Sequence, residues 1–449
     1  MSKHLFSNIR VPIEKDNPSI CRDESKCISC GACKSVCKFN VGVYGRYDLE
    51  KTGDKAICIN CGACAMVCPT RSIMERRDYL EVKKLINSDK KIIFITSPAV
   101  RVALGEEFDY EIGTNVEKKM VSALRALGAS YVFDTTFGAD LTIMEEANEL
   151  VDRIKKQENL PMFTSCCPAW VKFVETFYPE LIPNLSTAKS PISMQGAVIK
   201  TYFANLANIN KEDIITVAIT PCVAKKAEIK REEFNNDVDF VVTTRELADW
   251  IREENIKFND LEDSSYDDIM NRGTGAGLIF GNSGGVMEAA CRLAYKILTK
   301  KEIDKKLLNF EEVRGLNNVK EASLTINDLT LKLAIINGTG DARKVIEKMK
   351  NNEVSYDFVE VMTCEGGCIA GGGQPRVHFP VNNEVKEARI KGLYTADFNS
   401  KFRCSDENED IIKIYNEFLG EPLSHKAHEL LHTSYTSRKS DLGLEEMNK

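Results

Sequence analysis

The chain has 449 residues, of which 43% are hydrophobic and 28% charged, and it carries a net charge of −7 at pH 7. This length holds about three domain-sized units with a sizeable core, and the composition excludes a disordered or collagenous chain. The negative balance gives no reason to expect a nucleic-acid or anionic-membrane partner.

The longest apolar runs, such as Ile92–Ile95, are far too short for a membrane span, and residues 1–15 show no apolar core of a secretory leader. A reducing, cytoplasmic setting is therefore expected for the 16 cysteines. There, clustered thiols bind metal more often than they form disulfides.

Cys27, Cys30, Cys33 and Cys37 read C-x2-C-x2-C-x3-C, and Cys58, Cys61, Cys64 and Cys68 repeat the run, its Gly-Ala included. Three thiolates on one tight loop can cap three corners of a 4Fe–4S cube. The fourth starts a helix leading away and ligates the other cube. One cluster is assigned to Cys27, Cys30, Cys33 and Cys68, and the other to Cys58, Cys61, Cys64 and Cys37. Gly31, Ala32, Gly62 and Ala63 let the backbone approach the sulfides. Structural zinc sites use four ligands with longer gaps between pairs, so zinc fits poorly. Cys21 has no place in the pattern and is expected to be a spare thiol. The block resembles a two-cluster bacterial ferredoxin, a small α+β domain over residues 21–88, preceded by an extension over 1–20.

From Lys91 the pattern becomes α/β, with largely parallel sheets flanked by helices. Strands are predicted at Ile92–Thr96, Tyr131–Phe133, Ile214–Ile219, Phe240–Thr243, Leu333–Ile336 and Phe358–Val361. Helices are predicted at Glu145–Lys156, Glu246–Glu253 and Gly285–Leu298. A catalytic domain is expected over 89–436 and a polar, frayed tail over 437–449.

Three loops in this part carry chemistry. They are Thr164-Ser-Cys-Cys-Pro-Ala-Trp170, Thr220-Pro-Cys-Val-Ala-Lys-Lys-Ala-Glu228 and Met362-Thr-Cys-Glu-Gly-Gly-Cys-Ile-Ala-Gly-Gly-Gly-Gln-Pro375. One cysteine from each of the first two, with the C-x3-C pair of the third, could complete another four-thiolate site. Glycines around Cys368 leave room for a bulky inorganic group.

These loops resemble the three signature motifs of the [FeFe]-hydrogenases, TSCCPxW, PCxxKxxE and MxCxxGCxxGGGQP, and the likeness covers residues 20–436. The resemblance implies a two-lobed catalytic domain holding the H-cluster, a 4Fe–4S cube joined through a cysteine to a two-iron subsite with CO, cyanide and azadithiolate. Cys167, Cys222, Cys364 and Cys368 match the cube ligands, Cys368 being the bridge. Lys225 matches the residue that pairs with a cyanide, Pro98 and Ala99 the loop against it, and Met362 a packing residue. Cys166, Glu146, Ser186, Glu149 and Arg153 match the proton relay. Glu146, Glu149 and Arg153 are spaced to share a helix face. Glu146 lies about 60° from the centre of the stripe Ile143, Ala147, Leu150 and Ile154, as a buried acid should.

The family commonly has methionine where Thr220 stands, so a changed reactivity of the two-iron site is expected. The implied function is H2 ⇌ 2 H+ + 2 electrons, exchanged with a ferredoxin or flavodoxin by a monomer loaded by maturation enzymes. The alternatives are a sensory hydrogenase-like protein, which binds H2 with low turnover, and an assembly factor of the Nar1/NARF type. Relatives of the first kind often lack the relay cysteine, and those of the second lack much of the site. Gly281-Asn-Ser-Gly-Gly and Gly338-Thr-Gly340 are read as helix caps or close packing rather than phosphate loops. His425, His428 and His432 are read as surface or packing histidines on one helical face. Lys226–Glu233 is read as a solvated helix face, and Cys291 and Cys404 as buried or spare thiols.

Overall fold

The computed structural model describes residues 9–444. In the cysteine-rich unit, Gly31 and Gly62 take φ of 81° and 74° and open the helices Ala32–Phe39 and Ala63–Met66. The left-handed backbone at these two positions favours glycine. Strands β1 (Ile20–Arg22) and β2 (Ile73–Glu75) close the unit as an antiparallel pair. The expectation that the fourth cysteine starts a helix is corrected. Each helix begins before the third cysteine, so Cys37 falls a turn later inside Ala32–Phe39 and Cys68 comes after Ala63–Met66.

Val11 and Ile20 are buried in this unit, so the described part of the N-terminal extension packs with it. The helix Tyr79–Leu85 precedes the expected domain boundary at residue 89, yet it packs with the catalytic part of the chain. Its Tyr79 and Val82 are buried, and Tyr79 meets Trp250 at a ring separation of 6.0 Å.

Two four-stranded sheets carry the remainder. The first comprises β3 (Lys91–Thr96), β4 (Tyr131–Asp134), β6 (Ile214–Thr220) and β7 (Phe240–Thr243). Its order is β4-β3-β6-β7, all parallel. The second comprises β5 (Met162–Phe163), β8 (Val319–Ile326), β9 (Leu329–Asn337) and β10 (Phe358–Met362). Its order is β5-β10-β9-β8, with β8 antiparallel to β9. Ile92, Ile93, Phe94 and Ile95 of β3 are at most 1% exposed. A parallel strand covered on both faces reads as such an unbroken apolar run.

Register brings the loop ends level. Thr96 pairs with Ile219 and with Asp134, and Thr220 pairs with Thr243. In the second sheet Val359 pairs with Phe163 and Ala334.

The long helix Thr135–Lys156 joins the two lobes and starts ten residues earlier than predicted. Asp134 caps it, accepting from the Thr136 amide at 3.0 Å. Its Phe137 and Leu141 belong to the core around the first sheet, while Ile143, Ala147, Leu150 and Ile154 belong to the core around the second.

The tail does not fray where it is described. The Arg438 amide donates to the Glu175 carbonyl at 2.8 Å and its guanidinium to the Glu175 carboxylate at 3.0 Å. Residues 445–449 lie outside the described residues. Among the described residues, no helix is long and apolar enough to cross a membrane.

Candidate active site

Loops from both sheets converge at the C-terminal ends of their strands, where open α/β sheets place ligands. Between them lies a cavity with about 740 Å³ of atom-free space. Pro98 and Ala99 enter it after β3, and Thr220, Cys222 and Lys225 at and after the end of β6. Cys166 and Cys167 follow β5, and Met362, Cys364 and Cys368 come from the end of β10 and beyond. All the residues matched to the cube, the cyanide and the relay thiol therefore share one cavity.

Missing side chains make this convergence possible. A Cβ on Gly371 would stand 2.5 Å from the Pro221 carbonyl, and one on Gly367 2.5 Å from the Ser283 amide. Gly281 itself lines the cavity. The Gly281–Gly285 stretch is thus close packing and the cap of the helix Gly285–Thr299, as expected. Arg389 anchors the third loop from behind. It clamps Glu106 with two bonds of 2.7 Å and donates to the Ile369 carbonyl at 2.8 Å.

The donor chemistry of the cavity suits a cationic inorganic group. Burial pushes the Cys222 thiol up to about 11, with repulsion from Cys167 adding to it. Burial and the neighbouring thiols likewise push Cys364 and Cys368 upward. Soft thiolates crowded together are what iron stabilises. Lys225 donates to the Cys166 carbonyl and to Glu228, each at 3.1 Å. Its ammonium is buried at the wall, where an anionic ligand would meet a charged donor.

Behind Cys166 lie the residues matched to the proton relay. Glu146 is fully buried, and neither of its oxygens has a hydrogen-bond partner among the described residues. Burial pushes its carboxyl up to about 8, with Glu149 and Glu360 adding and the nearby Ser186 hydroxyl subtracting. The Cys166 thiol is also pushed up, by burial first and Glu146 second. Ser186 Oγ donates to Glu149 Oε2 at 2.7 Å, and Arg153 Nη2 donates to Glu149 Oε1 at 2.7 Å. Arg153 also reaches the Leu185 and Pro183 carbonyls, at 2.8 and 3.2 Å.

The ferredoxin-like unit presents a second, smaller cavity of about 480 Å³, lined by Cys37, Cys58, Cys61 and Cys64. This is one of the two ligand sets assigned from spacing. Burial pushes the Cys37 thiol up to about 12, with Cys58 adding. Of the other set, Cys33 and Cys68 are buried, Cys27 is half-buried and Cys30 is exposed. The unit touches the catalytic loops directly. Cys61 and Cys364 line one groove. A Cβ on Gly372 would stand 2.6 Å from the Cys61 carbonyl and 3.1 Å from Gly62 Cα. Gly340 donates to the Asn40 carbonyl at 2.9 Å, and Thr339 to the Val41 carbonyl at 2.7 Å.

Two expectations are corrected. Lys226–Glu233 is not simply a solvated face. Lys226 is buried against Glu246 at 3.0 Å, Glu228 holds Lys225 at 2.9 Å, and Arg231 holds Glu233 and, from a neighbouring helix, Glu175. The three histidines do not share a helical face either, because the helix ends at Leu431. His432 turns inward, with Nδ1 at 2.7 Å from Thr187 Oγ1 and Nε2 at 2.9 Å from Glu145 Oε2. Thr187 in turn donates to Glu149, so it and His432 support the relay acid unforeseen. Cys291 and Cys404 are buried thiols.

Residues 90–372 match the family model of the iron-only hydrogenase large subunit, C-terminal domain, and residues 383–438 that of the iron hydrogenase small subunit. Residues 52–74 match a 4Fe-4S binding domain. The NADP-reducing hydrogenase subunit HndD of Solidesulfovibrio fructosivorans is 43% identical, over 94% of this chain and 75% of its own. Iron hydrogenase 1 of Clostridium pasteurianum is 42% identical, over 94% and 77%. The structure of apo [FeFe]-hydrogenase HydA1 from Chlamydomonas reinhardtii superposes with a TM-score of 0.72 at 38% identity, covering 81% of this chain and 99% of that one. The cofactors are accordingly 4Fe–4S clusters and the H-cluster. The chain belongs to the iron-only hydrogenase family and is an oxidoreductase acting on hydrogen.

Proposed function

We propose that the chain turns over hydrogen in both directions, H2 ⇌ 2 H+ + 2 electrons, and exchanges the electrons with a ferredoxin or flavodoxin. The observation that carries this reading is Glu146, a buried carboxyl without a hydrogen-bond partner, set between a cavity thiol and the bonded chain Ser186–Glu149–Arg153. A protein that only senses hydrogen has no need of such a path.

When bound, the two-iron subsite supplies the metal position at which hydrogen is split heterolytically, and the cubes carry the electrons. Cys167, Cys222, Cys364 and Cys368 would hold the cube, with Cys368 as the bridge. Lys225 would orient a cyanide, and Pro98, Ala99, Thr220 and Met362 would shape the surrounding wall. In the oxidative direction Cys166 Sγ passes its proton to Glu146 and takes the next one from the cavity. Glu146 hands on to Ser186 Oγ, whose hydroxyl proton moves to Glu149 Oε2, and the proton leaves beside Arg153. A pKa near 8 suits an acid that must both take and give a proton near neutral pH.

Cys37, Cys58, Cys61 and Cys64 would hold an inner cluster beside the cavity, and Cys27, Cys30, Cys33 and Cys68 an outer one, which together would supply a route for electrons. The exposure of Cys30 supports an outer exit. We divide the chain into a cluster unit and a catalytic domain that fold against each other. We place it in the cytoplasm as a monomer served by maturation enzymes, with neither nucleic acid nor membrane as a partner.

Protein-film voltammetry of matured protein, under H2 and then under inert gas, tests the reading. Currents in both directions support it. Infrared bands of CO and cyanide without current would instead point to a sensor.

A further inference from the structure

Lys172 has no part in the relay or the cavity, yet it is a half-buried cation without an ion pair among the described residues. It lies on the helix Pro168–Phe177, whose N-terminal cap is Cys167. Its Nζ donates to Asn60 Oδ1 at 2.7 Å. Asn60 sits in the inner-cluster loop between Cys58 and Cys61, and its amide donates to Cys58 Sγ at 3.3 Å. Asn60 Nδ2 is tied to Asn17 Oδ1 at 3.2 Å, which fixes the carbonyl oxygen that receives the lysine. Among the described residues no carboxylate lies within ion-pairing distance of Lys172. Glu175, one turn on, is already taken by Arg231 and Arg438. Burial lowers the Lys172 ammonium's pKa, and of the negative groups that oppose this the Cys58 thiolate is the largest, ahead of Asp441 and Glu175.

We propose that Lys172 sets the reduction potential of the inner cluster, holding it more positive than the thiolate cage alone would. The proposal rests on the assignment of Cys37, Cys58, Cys61 and Cys64 to that cluster. Reduction adds one electron from the partner to the cluster, so the step adds negative charge near the Lys172 ammonium. A half-buried cation stabilises the more negative state, and cluster potentials depend on local charge and hydrogen bonding. One helix thus carries a capping cysteine that lines the catalytic cavity and a lysine bonded to the inner-cluster loop. Lys172 is a positioning residue for that charge and touches no reacting atom.

The test is a potentiometric titration of the matured holoenzyme, monitored by the paramagnetic resonance of its reduced 4Fe–4S clusters, in wild type, K172M, K172Q and K172R. In K172M and K172Q one accessory-cluster wave should move to more negative potential while the other stays. In K172R both should stay. Equal midpoints in all four proteins, or equal movement of both waves in the neutral variants, overturn the proposal. Wild-type protein with only one accessory-cluster wave and the matching iron deficit would overturn the ligand assignment instead. If K172M loses a cluster, K172Q, which keeps a donor facing Asn60, decides between these outcomes.

Discussion

Replacing Glu146 with glutamine keeps the shape of a buried side chain and removes its titration. Its carboxyl stands at about 8 against an ordinary 4.5. That gap favours the protonated form in the folded chain by about 5 kcal/mol. Near pH 7 the wild-type residue therefore holds its proton by roughly ten to one, yet ionises within reach of neutrality, which glutamine never does. Turnover in E146Q is expected to fall ~10²- to 10⁴-fold, the usual worth of a positioned proton-transfer group. The CO and cyanide infrared bands should stay unchanged.

The same spectra carry a second signal. Wild type should show a protonated-carboxyl stretch that vanishes as pH rises through about 8, and E146Q should lack it. Stability should move with it. A raised carboxyl contributes stability that is full below 4.5 and is lost as pH rises through about 8. E146Q should therefore lose less stability across that window. Wild-type turnover in a loaded E146Q, or a carboxyl stretch titrating near 4.5, would refute the reasoning.

T220M restores the thioether usual in the family at a buried cavity wall. The ratio of oxidation to evolution current should change, and an identical ratio in film voltammetry would dismiss a role for Thr220. G372A drives a methyl toward the Cys61 carbonyl, 2.6 Å away. It should cost ~1–3 kcal/mol of packing and slow electron delivery to the cavity, seen as lower film current with full iron content. R389M strands the Glu106 carboxylate in the core. It should destabilise the chain by about 3–5 kcal/mol, read as a lower denaturant midpoint and poor H-cluster loading.

The cysteines were the most legible part of the candidate site, twelve of them in fixed spacings, while Lys225 and Glu146 were found only through the resemblance to the [FeFe]-hydrogenase motifs. The parallel strands were legible too, since burial on both faces leaves a continuous apolar run such as Ile92–Ile95. What escaped depends on distant partners. Lys226 reads as solvated until Glu246 and Asp78 are folded onto it. His432 shows no sign in the sequence of turning inward because Thr187 and Glu145 lie more than 240 positions away. β8 alternates exposed and covered residues at a sheet edge, and β5 has two residues, so neither makes an apolar run. Lys172 looked like any helix-face lysine because nothing local marks Asn60 as its acceptor.

The cavity lies on a seam. One side of it hangs from the first sheet, the other from the second, and each contributes cysteines. An inorganic group bonded to both sides is then a rivet as well as a reactor. Its binding energy adds to the cohesion of the lobes, because whatever binds the folded state alone stabilises it. Destroying that group does more than stop catalysis. It also removes that share of the cohesion between the lobes.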